Sequence, residues 1–478
     1  MQNIIRKDTK FIYLFYGIAI LLSVLCVLSL FFEYYKTSLL IFAIPLLIFV
    51  YIKFADYFKY FFVGSLFVGG YYQWPLRVQL SLLVTFSIIF FFLTNKDTLI
   101  FNELILPKSI KYSASAIIFA VYISSILTPF ISFYSLYYAT LFFVFAFSSY
   151  VIFRSVKSCE EVDKLLYFFA KIASIAGLII ILQILITGNL RSVGITQFAV
   201  IDFVAFAFVT VLFRNFLLSK IDRYSLIISI IVLIVLITTQ SRFAWLGFLL
   251  TSIYGLVVSY IYSDDARIIL KKRFPIFIIA VILAIALFFI FGLEKIITSR
   301  IGNVSLSLFQ NADDKLVSNS LESRVFIWII ALNTFIHNPI TGVGYLMFSE
   351  ISENYNILPE FVFNLFVKDL DAHTTYLNFL CETGVVGLVS FLIYVITIFR
   401  YSLKSIKLSK NFEETKVSIL LNLLVFFIMV HSIYSGAFTM GQNAFHMHLI
   451  FGLSIANYVL LKNKDKSTHN KRPNLFGN

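Results

Sequence analysis

Arg242 in TTQSRFAW, Arg324 in ESRVFIW and His373 in DAHTTYL are the residues in this sequence best suited to chemistry. A guanidinium keeps its charge and grips phosphate oxygens in bidentate fashion. A histidine titrates near neutral pH and can take a proton from a hydroxyl. Arg191 in GNLRSVG is a third arginine of the same kind. Gathered in one place, the arginines would suit a pyrophosphate, because fixed positive charge can stabilise that leaving group in place of a metal. Each residue also has a plainer reading. Arg242 could snorkel to an interface, Arg324 could pair with Glu322 on a surface, and His373 could cap a helix. Tyr376 follows His373 at helical spacing with Leu377 and Leu380, and is the candidate on the acceptor side.

Several other signals carry less. Asp369-Leu370-Asp371 forms a D-x-D, which in some glycosyltransferases holds a metal, but so short a pattern arises often by chance. His446 and His448, with His431, fall near an interfacial span start where polar residues are ordinary. No metal and no cofactor is therefore assigned. Glu382 lies nine residues beyond His373 and on a straight helix points to the opposite side, so the two are not paired. Cys26, Cys159 and Cys381 show neither C-x-x-C nor other ligand spacing. Neither G-x-x-x-x-G-K-[ST] nor G-x-S-x-G occurs, which removes the sequence basis for nucleotide hydrolysis and serine esterase chemistry.

The elements that must position these residues are membrane helices. The chain is 60% hydrophobic and 13% charged, whereas soluble domains carry about 25% charged residues. Apolar runs long enough to cross a hydrocarbon layer of about 30 Å recur almost end to end. The reading is an all-α polytopic protein of about 14 spans. They are expected near 11–32, 37–53, 57–72, 77–94, 112–128, 132–153, 165–187, 197–218, 224–240, 243–262, 274–291, 384–399, 417–437 and 445–461. The first, behind Arg6, Lys7 and Lys10, reads as a retained span and not as a cleavable signal. With the N-terminus inside, most of the 38 Lys and Arg fall in cytoplasmic loops, including Lys271 to Arg273, Arg400 to Lys410 and the C-terminal tail. Both termini are then cytoplasmic, and the net charge of +13 reports topology and anionic lipid contact, not nucleic acid.

That orientation puts a large, partly helical loop outside the cytoplasm, between the eleventh and twelfth spans, and the turns at Arg191 and Arg242 on the same side. The chain reads as one membrane domain, 1–478, with residues 292–383 as the external loop and re-entry helix carrying part of the site. Asn319 and Glu322 make a capping box for a helix from Ser320, which stops before Asn338-Pro339. Its mostly apolar surface suits the outer leaflet. Pro339, Gly342 and Gly344 in PITGVGY permit a tight turn, and a further helix starts near His373.

Three stretches, TTQSRFAWLGFLLTSIYGL, SRVFIWIIALNTFIHNPITGVGY and AHTTYLNFLCETGVVGLVSFLIYV, together resemble the O-antigen ligase and O-antigen polymerase superfamily of bacterial membrane glycosyltransferases. They cover about a third of the chain, near 240–395. The resemblance implies an inner-membrane enzyme that transfers a glycan from undecaprenyl pyrophosphate to an acceptor hydroxyl at the outer face, without a nucleotide sugar. It implies Arg242 and Arg324 on the pyrophosphate and His373 on the acceptor. The family commonly has Asn directly after that histidine; here Thr374 replaces it. A polymerase joining lipid-linked repeat units is the favoured reading, with a chain-length regulator as an expected partner. A ligase acting on lipid A core is the alternative. A lipid-linked oligosaccharide flippase or transporter fits less well, since transporters usually show paired repeats.

Overall fold

The computed structural model describes residues 104–128, 133–187, 207–215, 223–238, 242–273, 320–436 and 441–470, together with Lys59, Tyr60, Val63 and Pro275. These residues form helices joined by turns. The expected spans 11–32, 37–53 and 77–94, nearly all of 57–72 and 274–291, both ends of 197–218, and Arg191 lie outside the described residues.

The helices are α1 (Lys108–Leu127), α2 (Phe133–Ser155), α3 (Cys159–Thr187), α4 (Arg223–Thr238) and α5 (Arg242–Tyr262). After them come α6 (Ser320–His337), the short α7 (Phe348–Ile351), a 3₁₀ turn at Ser352–Tyr355, and α8 (Glu360–Phe366). The chain then forms α9 (Thr375–Leu408), α10 (Phe412–His431) and α11 (Gly441–Asn470). Seven helices among the described residues are long and apolar enough to cross a membrane, drawn from α1, α2, α3, α5, α9, α10 and α11; α4 is apolar but shorter. The protein is thus an all-α polytopic membrane protein.

α9 is the central post, packed against α1, α10, α11 and α6. α10 and α11 are buried on nearly every side, whereas α5 turns Leu249, Ile253, Val257 and Tyr260 outward. Lipid offers no hydrophobic drive between helices, so small and polar residues join them. Asn422 is fully buried on α10. It accepts from Tyr254 Oη of α5 at 2.8 Å and donates to Ser402 Oγ of α9 at 2.8 Å, tying three helices at one point.

Charge separates the two ends of the bundle. At one end Arg214 meets Asp163 at 3.2 Å, Lys416 lies buried beside Glu413 and Asp163, Lys59 pairs with Glu161, and Lys464 reaches Glu414 at 2.5 Å. Helix direction puts Thr128, His373 and Ser432 at the opposite end.

α6 is apolar on two faces, and only one of them is covered by the protein. Ile327, Ile330 and Ala331 form a small core with Phe348, Phe363, Phe366, Ala372 and Cys381. Val325, Ile329, Leu332 and Ile336 form the opposite, exposed stripe. Ile340 continues it to the exposed Val385, Val386, Val389 and Ile393 of α9.

The re-entry helix begins nine residues earlier than the expected span at 384–399, and that expected start coincides with a break. Gly384 takes φ 64° and ψ −168°, so α9 is two helical segments joined at a kink. The break frees backbone groups that pair with PITGVG. Val343 N donates to Cys381 O at 3.2 Å, Gly344 N to Glu382 O at 2.9 Å, and Val385 N to Pro339 O at 2.9 Å. Ser124 Oγ of α1 also donates to Glu382 O, at 2.6 Å, and Thr128 Oγ1 to Val343 O at 2.6 Å. A methyl group on Gly384 would lie 2.2 Å from Ile340 O, and one on Gly342 2.3 Å from the Glu382 carbonyl carbon. Gly384→Ala is therefore expected to lower the thermal midpoint of the detergent-solubilised protein: its φ and ψ lie in a region essentially reserved for glycine, where another residue costs on the order of 1–3 kcal/mol, and the contact adds to it. Gly247→Ala, whose methyl would meet only the Phe427 ring at 3.3 Å, is the control and should melt close to the parent.

Candidate functional site

His373 does not open the re-entry helix. It precedes Thr374, the N-cap residue of α9, and takes the left-handed backbone at φ 52°. The helix start is held from α10: Thr375 N donates to the carbonyls of Ser432 and Ser435, both at 3.0 Å. Thr374 Oγ1 donates to Ser432 O at 3.3 Å and Thr375 Oγ1 to Ser435 O at 2.7 Å. The Thr374 hydroxyl is thus directed at the end of α10.

The turn before His373 is organised by Asp371. Its Oδ1 lies 2.5 Å from His373 Nδ1, and it also accepts the His373 backbone N–H. Asn378, one turn into α9, presents Nδ2 to Asp371 Oδ2 at 3.4 Å, while its Oδ1 accepts from Ala372 N at 2.9 Å. Gly436 closes the far side: a methyl there would lie 2.2 Å from Asp371 Oδ2. The Asp371 side chain is 9% exposed and that of His373 36%, so the imidazole is open to an arriving group and the carboxylate is not. Burial pushes the Asp371 carboxyl upward, but the hydrogen bond and charge of His373, with Asn378, outweigh it and hold the group below the usual carboxylate range. The D-x-D pattern thus places its second aspartate on a histidine and an asparagine.

α6 brings Arg324 toward this turn. Trp328 Nε1 donates to Ala372 O at 3.1 Å, against the residue just before His373. Arg324 sits one helical turn earlier on the same flank, half-buried. Arg242 is the first residue of α5, and helix register gives its height. Gly247 faces Phe427 and Tyr254 faces Asn422, so α5 and α10 run antiparallel. Five residues from Gly247 back to Arg242, and five from Phe427 on to Ser432, each span about 7.5 Å at 1.5 Å per residue. Arg242 therefore starts at the level of Ser432, whose carbonyl holds the α9 start. Trp245 Nε1 donates to Leu236 O at 2.8 Å and joins the start of α5 to the end of α4.

Tyr376 lies at the same end, with its hydroxyl donating to Met429 O at 2.9 Å and its ring edge-on to Phe391. Its phenol joins α9 to α10. Glu382 is fully buried and accepts the backbone N–H groups of Leu346 and Phe348, away from His373. The three membrane histidines are separate: His448 Nδ1 lies 2.8 Å from Ser149 Oγ, His446 packs on Phe169 and His431 on Phe427. Among the described residues no group of three His, Cys, Asp or Glu could hold a metal ion.

Asp371 in its orienting position, Asn378, Trp328 and Gly436 belong to the site without having been singled out from sequence. Asp371 carried a readable signal, since an aspartate two residues before a histidine can close an Asx-type turn.

Residues 227–392 match the family model described as O-Antigen ligase. The matched segment holds Arg242, Arg324 and His373, and it supports the O-antigen ligase and polymerase superfamily as the one this chain resembles. The function that this indicates is of the ligase or polymerase type, in glycan assembly at a membrane. No curated protein matches the chain.

One outcome follows from the ionisation of Asp371. Its folded-state pKa is depressed below the unfolded value of about 3.9, so the stability it contributes is present above that pH and is lost as pH falls through the folded value. The thermal midpoint of the parent should exceed that of Asp371→Asn above pH ~4, with the gap closing under stronger acid; acid-series melts in detergent check this.

Proposed function

We propose that this protein is a polysaccharide polymerase that joins undecaprenyl-pyrophosphate-linked repeat units at the outer face of the bacterial inner membrane, with both termini cytoplasmic. The observation that carries the reading is the open imidazole of His373, backed by a buried carboxylate at the bundle end where α5 starts and α6 leans in, all inside the family match.

In this reading the acceptor is a sugar hydroxyl of one lipid-linked unit. Its O–H bond breaks as the proton passes to His373 Nε2. The oxygen bonds to the anomeric carbon of the donor glycan while the carbon–oxygen bond to the pyrophosphate breaks, and the lipid pyrophosphate leaves with the electron pair. Direct displacement of this kind inverts the anomeric centre. Arg242 and Arg324, with Arg191 as the third arginine, hold the pyrophosphate and balance the charge it gains. Tyr376 supports the acceptor side by holding α9 to α10. A chain-length regulator is the expected protein partner.

The test is incubation of the purified protein in nanodiscs with its lipid-linked repeat unit alone, followed by gel separation of the glycolipids. A ladder of multiples is expected, since no other acceptor is present. Transfer only after lipid A core is added would make it a ligase, and silence in both with an intact control substrate would overturn the enzyme reading. His373→Ala should lower turnover by on the order of 10²–10⁴-fold, the range of general-base contributions. Arg324→Ala should lower it by about 10²–10³-fold, as for removal of one group that stabilises developing charge.

A further inference from the structure

We infer that Asp371 is a positioning residue, holding His373 in the tautomer and orientation that leave Nε2 ready to accept a proton. The inference rests on the reading of His373 as the acceptor-side base.

The geometry makes the pair directional. An ionised carboxylate can only accept, so the 2.5 Å contact at Nδ1 requires the hydrogen on that nitrogen. The neutral ring then keeps its lone pair on Nε2. The carboxylate cannot swing away, because Asn378 takes the second oxygen and Gly436 leaves no room behind it. Asn378 in turn is fixed by Ala372 N. The backbone contributes as well: His373 stands in the left-handed region, where a non-glycine residue costs about 1–2 kcal/mol. Such residues cluster where surrounding structure over-determines them and function needs them. Here that conformation brings the ring of His373 onto the side chain two residues before it.

A purely structural role is the competing account. Asp371 accepts the His373 backbone N–H as an Asx-type turn does, and the ring contact could then be incidental. Asp371→Asn separates the two, because asparagine closes the same turn. It lacks the charge, however, and its amide can donate to Nδ1. That reverses the tautomer, placing the hydrogen on Nε2, where it blocks proton uptake.

The experiment compares the parent, Asp371→Asn, His373→Ala and the double variant in nanodiscs, by steady-state transfer from the lipid-linked oligosaccharide and by ring ¹⁵N NMR of histidine-labelled protein in the neutral-imidazole form. The His373 signals are assigned by their loss in His373→Ala. The expected result is hydrogen on Nδ1 in the parent and on Nε2 in Asp371→Asn. Turnover of Asp371→Asn should fall about 10²–10⁴-fold, as a wrong-tautomer base does elsewhere, with KM unchanged and no added loss on the His373→Ala background. An unchanged tautomer, near-full turnover, or a loss that adds in full on His373→Ala would each overturn the inference. If the parent transfers no glycan from any lipid donor, the polymerase reading fails, and the NMR comparison still decides the pairing by itself.

Discussion

The backbone interlock between 339–344 and 381–386 is the constraint on which the outer end of this protein depends. Two short segments approach until main chain touches main chain, which only glycine at Gly342 and Gly384 allows. The broken helix would otherwise leave amide and carbonyl groups unsatisfied at the edge of the hydrocarbon, each costing several kcal/mol. The PITGVG turn takes them up, and Ser124 and Thr128 of α1 secure the join. α6, which ends directly before that turn, is thereby anchored to α9 and α1 together.

From this anchor the geometry of the site follows in two steps. The segment of α9 before the break is held at its start by the carbonyls of Ser432 and Ser435 and near its end by the turn. His373 and Asp371 stand immediately before that segment, against Trp328 of α6 on one side and Gly436 on the other. Three separate parts of the chain thus meet around the turn that carries Asp371 and His373. α5 begins at the same height.

The spans were legible because an apolar run in a membrane protein is almost its own definition. α1, α2, α4, α5 and α10 begin and end within several residues of the runs read from sequence, and α6 starts and stops at the expected Ser320 and before Asn338. Arg324 and His373 were singled out through motif resemblance, and both lie inside the matched segment 227–392. The interlock was not legible, since pairing between two irregular backbones leaves no periodicity, although the glycines of PITGVGY signalled a turn. The contact of Asp371 with His373 was hidden by the association of D-x-D with metals, and that of Gly436 with Asp371 by its distance along the chain. The helix itself was expected from near His373, but its membrane span was started only at 384, because Asn378, Glu382 and Thr383 lower the local hydropathy although all three are buried.

The uncovered stripe of Val325, Ile329, Leu332 and Ile336 has a consequence for height. A helix with such a stripe settles with its apolar side about 5–10 Å into the boundary between headgroups and acyl chains. α6 is joined rigidly to α9 and touches the residue before His373 through Trp328. The depth at which that stripe settles therefore also sets the depth of the turn that carries His373, as a float sets a gauge.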